Sequence, residues 1–128
     1  MNFKLMKKRQ IESENFLERI PVRAAAIHWY YEEKQKVMLE VENRGFFNTI
    51  AQKTLKKPRI SYIHLDEMGS FIWSLLDGQN SIAAISKMVD EQFKEKAEPL
   101  YERLFKFLLL LDGYGFIEWK EYEKRSLS

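Results

Sequence analysis

Apolar positions change their period several times along the chain, and each change marks an element. Within residues 24–32, Ile27, Trp29 and Tyr31 alternate with His28, Tyr30 and Glu32, the period of a half-buried strand. The polar run 33–36 reads as a turn. After it Val37, Leu39 and Val41 alternate with Met38, Glu40 and Glu42, so a second strand should pair with the first as a hairpin. Residues 44–57 shift to helical spacing, with Phe46, Phe47, Ile50, Ala51 and Leu55 apolar and Arg44, Lys53, Lys56 and Lys57 basic. Pro58 ends that segment, because the residue before a proline is pushed out of the helical region. A third strand, 60–65, places Ile60, Tyr62 and His64 on one face and Ser61, Ile63 and Leu65 on the other.

Three firmer helices follow. Asp66 is a good N-cap, and Met68, Phe71, Ile72, Leu75 and Leu76 mark one face of the first, which Asp77-Gly78 closes. Ser81 caps the second, whose apolar stripe is Ile82, Ile85, Val89 and Phe93. Pro99 opens the third as its first helical residue, and Gly113 and Gly115 stop it after about residue 112. A short extended segment, 116–119, completes the pattern. The order predicts an α+β winged helix-turn-helix: a small three-stranded antiparallel sheet packed on three helices. Residues 1–22 read as an N-terminal arm, 23–119 as the domain with its basic helical insert at 44–57, and 120–128 as a polar tail.

The third helix carries more apolar surface than one packing face requires. Turning 100° per residue from Leu100, Leu104, Phe107 and Leu111 lie within about 40° and Leu108 at about 80°. Tyr101, Phe105 and Leu109 form a second stripe from about 100° to about 180°. Two readings stay open. Both stripes are buried, one under helices and one under sheet, or the second lines an apolar groove beside the third strand. A strand edge beside such a groove suits β-augmentation, in which a visiting peptide bonds to the edge and seats alternate side chains in the groove.

The segment 63–73, Ile-His-Leu-Asp-Glu-Met-Gly-Ser-Phe-Ile-Trp, resembles the strand-to-helix passage of PqqD-like proteins. Leu75-Leu76-Asp77-Gly78 followed by Ser81-Ile82-Ala83-Ala84-Ile85 is similar to their join between helices. Residues 104–117, with Leu-Asp-Gly-Tyr-Gly-Phe-Ile at their end, resemble their third helix and its closing step. The resemblance covers about half the chain, residues 59–119. It implies a non-catalytic module, a recognition element for ribosomally made peptides. Such a module binds the leader of a precursor peptide along the third strand, here 59–65, in the cleft with the third helix, here 99–112. It presents that leader to a modifying enzyme, often a radical S-adenosylmethionine enzyme. The site residues this implies are Arg59, Ser61, Tyr62, Ile63, His64, Tyr101, Phe105, Leu108 and Leu109. The arm and the basic insert depart from the minimal domain, so the peptide need not be the precursor of pyrroloquinoline quinone.

Composition and charge narrow the alternatives. No cysteine is present, which excludes disulfides, thiolate catalysis and cysteine-held metal centres and suits a reducing compartment. Lys7-Lys8-Arg9 leads into polar residues, and the longest apolar run is 107–111, so neither a signal peptide nor a spanning helix is readable and a cytoplasmic location is expected. The net charge is +2, but residues 1–60 hold 13 Lys and Arg against 7 Asp and Glu, while 61–128 hold 8 against 12. A DNA-binding winged-helix regulator, the main rival, would want basic residues outward on the third helix; Glu98, Glu102, Arg103, Lys106 and Asp112 give no basic surplus. A structural subunit whose groove another protein fills is a further alternative, and monomer and homodimer both stay open. His64 and Asp66 share a strand face, but Asp66 is better explained as a helix cap than as half of a catalytic or metal pair. No glycine-rich phosphate loop precedes a helix, so no cofactor is expected. Trp29, Trp73 and Trp119 read as packing residues. The basic insert reads first as a solvated surface helix capping the open end of the sheet. Contact with an anionic membrane surface or an acidic partner ranks below that.

Overall fold

A computed structural model describes residues 16–43 and 59–120. The expected basic helical insert, most of the N-terminal arm and most of the polar tail lie outside the described residues. Among the described residues the architecture is α+β, with three α-helices and two small antiparallel sheets. Strands β2 (His28–Tyr31), β3 (Val37–Asn43) and β4 (Arg59–His64) form the larger sheet in that order, and β1 (Pro21–Arg23) pairs with β5 (Ile117–Trp119) in the smaller one.

The hairpin joining β2 to β3 turns without glycine. A single 3-10 turn, Glu33–Gln35, makes the reversal, and Lys34 and Gln35 sit at φ 61° and 60°. Both residues occupy the left-handed region that glycine or asparagine usually fills. The first strand is shorter than its alternation predicts, because Ile27 N–H folds back to the carbonyl of Ala24 at 3.1 Å and only His28 onward pairs with β3.

Helix α1 (Glu67–Ser74) follows β4 directly. Asp66 accepts a hydrogen bond from Gly69 N–H at 2.7 Å, the cap its sequence position predicts. Of the helix's expected face, Ile72 and Leu76 are buried and Met68, Phe71 and Leu75 are half-buried against the core; Gly69, Ser70 and Trp73 are buried besides. Trp73 is fully enclosed, and Ser70 turns inward to the sheet. The Ser70 hydroxyl accepts from Val37 N–H at 2.8 Å and donates to the Leu65 carbonyl at 3.3 Å, replacing a missing ladder bond. Gly78, at φ +83°, turns the chain toward α2 (Ile82–Phe93), which Ser81 caps through Ala84 N–H at 3.1 Å. Ile82, Ile85 and Val89 are buried as their spacing predicts. After a 3-10 turn at Lys94–Ala97 comes α3 (Leu100–Gly113); Pro99 caps this helix from outside, with ψ 116°, and is not its first helical residue. Gly115, at φ +78°, ends it, and Phe116 N–H returns to the Leu111 carbonyl at 2.9 Å.

The segment read as an N-terminal arm is integrated from Phe16 onward. Phe16 is buried, Ile82 N–H donates to the Arg19 carbonyl, and β1 closes onto β5. The Arg23 guanidinium donates to the Trp73 carbonyl at 2.8 Å, and that of Arg19 lies 4.3 Å over the Trp119 ring. The expected boundary between residues 22 and 23 therefore cuts through a paired strand. One core joins both sheets to the helices: Val37 and Leu39 from β3, Ile72, Trp73 and Leu76, then Ile82, Ile85, Val89, Leu104 and Leu108. Among the described residues no helix is long and apolar enough to cross a membrane.

Candidate peptide-binding edge

Strand β4 ends the three-stranded sheet, paired only with β3 among the described residues. Leu65 N–H bonds to the Val37 carbonyl across the ladder, and Leu39 faces Ile63, Val41 faces Ser61 and Asn43 faces Arg59. Backbone groups in an antiparallel strand point alternately to either side. With the odd-numbered residues turned toward β3, the N–H and C=O groups of Ile60, Tyr62 and His64 point to the outer edge. Side chains alternate on the other axis. Ser61, Ile63 and Leu65 face the core side, whereas Ile60, Tyr62 and His64 project onto the exposed sheet face.

The two flanks of α3 differ. On one, Phe105 is 2% exposed and meets Phe16 edge-on at 5.1 Å, with Tyr101 tilted against it at 5.6 Å. On the other, the Phe107 ring lies about 3.4 Å from where a Cβ of Gly69 would stand. Gly69 belongs to the first turn of α1, just past the end of β4, so that Phe107 reaches the start of that helix. Phe105 and Phe107 stand about 160° apart around the helix. Leu100, Arg103, Leu110 and Tyr114 fall within about 60° of Phe107. Leu110 is 50% exposed and Tyr114 70% exposed, Tyr114 stacking on Phe116 at 5.4 Å. The open apolar stripe of α3 is therefore Phe107–Leu110–Tyr114, of which Phe107 meets the first turn of α1.

The residues expected at the site accordingly separate. Arg59, Tyr62 and His64 are exposed along β4, and Ser61 and Ile63 are half-buried beneath it. On α3, Tyr101 is exposed and Leu109 half-buried, but Phe105 and Leu108 are buried in the core. The expected Tyr101–Phe105–Leu109 groove is not open, because the Phe16 turn covers its middle. The spacing Phe107, Leu110, Tyr114, at i, i+3 and i+7, was the available signal for the open flank. It is overlooked when Phe107 is assigned to the packing stripe.

The electrostatic features of the site are mild. His64 Nδ1 lies 3.2 Å from a Glu32 carboxylate oxygen, both largely exposed. Partial desolvation, then the nearby carboxylates of Glu40 and Glu32 and the Tyr62 hydroxyl, push the Tyr30 phenol above the ordinary tyrosine range. Among the described residues no three His, Asp or Glu side chains converge as metal ligands would.

The sequence profile of the family described as Coenzyme PQQ synthesis protein D (PqqD) matches residues 35–117, which run from the end of the hairpin turn to the start of β5. No curated protein and no solved structure matches the chain significantly.

Proposed function

Because this chain belongs to the PqqD family, matched over residues 35–117, we propose that it is a non-catalytic peptide-binding module. It captures the leader of a ribosomally made precursor and presents it to a modifying enzyme, for which a radical S-adenosylmethionine enzyme is the first candidate. The observation that carries this reading is the outer edge of β4, unpaired among the described residues, with the Phe107 end of the Phe107–Leu110–Tyr114 stripe meeting Gly69 just past that strand. A peptide strand added there bonds to the main chain of Ile60, Tyr62 and His64 and turns alternate side chains toward Ile63, Phe107 and Leu110. Phe105 and Leu108 then act by holding α3 in place and do not touch the leader. Three helices with a β1–β5 pair at their end support a winged helix-turn-helix description. A nucleic-acid role gains nothing from α3, whose exposed Glu102 and Asp112 offset Arg103 and Lys106.

Selection from a displayed library of random peptides, followed by amide hydrogen exchange with the selected peptide, tests the proposal. Protection is expected at Ile60, Tyr62 and His64, with little change at Ser61 and Ile63, whose amides already face β3. Failure to enrich any peptide, or protection that misses β4, overturns it.

A further inference from the structure

The three-stranded sheet has a second open edge. Strand β2 pairs only with β3 among the described residues, so its far side is unpaired there as well. The direction of its backbone groups follows from the register. Glu32 N–H donates to the Lys36 carbonyl, and Tyr30 and His28 continue that series opposite Met38 and Glu40. The N–H and C=O groups of Trp29 and Tyr31 therefore point away from β3, to the outer edge. Lysine, proline and bulges are common guards of such an edge. Strand β2 has none of them; it reads His-Trp-Tyr-Tyr, with Tyr30 42% and Tyr31 46% exposed.

We propose that this edge pairs with the β2 edge of a second copy of the chain, antiparallel about a two-fold axis at Tyr30. Three observations select that occupant. First, the backbone permits one register. In a two-fold antiparallel pair the outward-facing residues must lie opposite one another. Centring on Trp29 would require the Ile27 N–H, which already donates to the Ala24 carbonyl. Centring on Tyr31 would bring Glu33, which belongs to the hairpin turn, into the ladder. Centring on Tyr30 uses Trp29 and Tyr31 alone, each exchanging both main-chain hydrogen bonds with the other's copy. Second, that register is complementary in charge. It sets His28 opposite Glu32 of the second copy, and symmetry repeats the pair. One Glu32 oxygen lies 3.2 Å from His64 Nδ1, which leaves the other to accept from a His28 ring N–H. Third, aromatic rings meet aromatic rings on both sheet faces: Trp29 lies opposite Tyr31, and Tyr30 opposite its own copy. The outer edge of β4 has no such symmetry; centred on Tyr62, it would set Ile60 opposite His64. Pairing through β2 makes one continuous sheet with a β4 at each end. The two β4 strands then stand about 24 Å apart, at about 4.8 Å per strand, and each keeps its outer edge open to a peptide.

Sedimentation velocity of the full chain over a wide range of concentration, with amide hydrogen exchange at both ends of that range, tests this inference. The contact is small, so a weak, concentration-dependent dimer is expected. The amides of Trp29 and Tyr31 should become protected as the dimer forms. Those of His28 and Tyr30, which face β3 in either state, should not change. Two variants at the exposed His28 probe the charge pairing without entering the core. His28→Glu should weaken the dimer about tenfold, because like charges then oppose each other, and His28→Lys should hold it at least as tightly as wild type. The net charge of +2 acts in the opposite sense, since general repulsion between copies would favour His28→Glu. A monomer at every concentration overturns the proposal. So does a dimer whose protection falls on Ile60, Tyr62 and His64, or one that both variants leave unchanged. Peptide capture at the β4 edge is open to monomer and dimer alike, so either proposal can fail without the other.

Discussion

The two flanks of α3 are built from similar residues and end in different states. Tyr101 and Phe105 on one side and Phe107, Leu110 and Tyr114 on the other are all apolar or aromatic. The first flank is closed because the chain before β1 folds back and inserts Phe16 against Phe105. The second touches Gly69 at the start of α1 through Phe107, and its Leu110 and Tyr114 are exposed. Surplus apolar surface on a helix thus does not reveal which side is the binding side; the far end of the chain decides it.

The strongest way to break this comparison is Phe105→Ala. Removing a ring that is buried against Phe16 should cost about 3–5 kcal/mol, measured by chemical denaturation. A charged residue at the same position should unfold the domain and not merely abolish ligand binding. If Phe105→Ala costs less than about 1 kcal/mol, the flank is not packed as described.

Ser70→Ala comes next. The hydroxyl serves Val37 N–H and the Leu65 carbonyl at the point where β3, β4 and α1 meet. Alanine leaves both groups buried and unsatisfied, at a cost of about 2 kcal/mol. Amide exchange at Val37 should speed up more than exchange in the middle of α2, which separates a local loss at the joint from general destabilisation.

Gly69→Ala probes the seam of the open flank. A Cβ there would stand 2.9 Å from the Asp66 carboxylate that caps α1 and about 3.4 Å from Phe107. Alanine is intrinsically the better helix former, by about 1 kcal/mol, so an unobstructed site would gain stability. Losing the cap should outweigh that gain and give a net loss of up to about 1 kcal/mol. A net gain in thermal melting would show that the Asp66 cap tolerates a methyl group at Gly69.

Most of the strand and helix pattern is legible along the chain because it rests on local chemistry. Asp66 and Ser81 cap the helices they precede, and the alternation in β4 separates the two faces that the structure shows. What the pattern cannot carry is contact between distant segments. Nothing near residue 105 announces Phe16, and nothing in Pro21-Val22-Arg23 is long enough to read as a strand until Ile117–Trp119 lies beside it. The inward turn of Ser70 depends likewise on the Val37 amide of β3, and that of Trp73 on the Trp29 ring of β2, which it meets edge-on. For the residues of the candidate site, the exposure of Tyr62 and His64 along β4 is legible in the alternation, whereas the burial of Phe105 and Leu108 on α3 is not. Periodicity fixes angles within one helix but not the direction in which its neighbours lie.

The smallest expected effect on stability is also the sharpest test of which flank works. Tyr101 and Leu110 are almost equally exposed, at 52% and 50%, and lie on different flanks of the same helix. Tyr101→Lys and Leu110→Lys each place a cation on a half-exposed surface, so each should shift stability by no more than about 0.5 kcal/mol. Their effects on a library-selected peptide should diverge. Leu110→Lys should weaken binding more than about tenfold, as removal of an apolar anchor from the centre of an interface does. Tyr101→Lys should leave it within about twofold, since near-neutral contacts surround such anchors. Titration calorimetry on the two variants and wild type gives the answer directly. Loss of binding in Tyr101→Lys with Leu110→Lys unaffected would move the site to the Phe16 side, where a peptide could enter only by displacing that ring. Loss in both would mean that the ligand wraps the amino-terminal and carboxy-terminal halves of α3 together, a footprint that one added strand along β4 cannot produce.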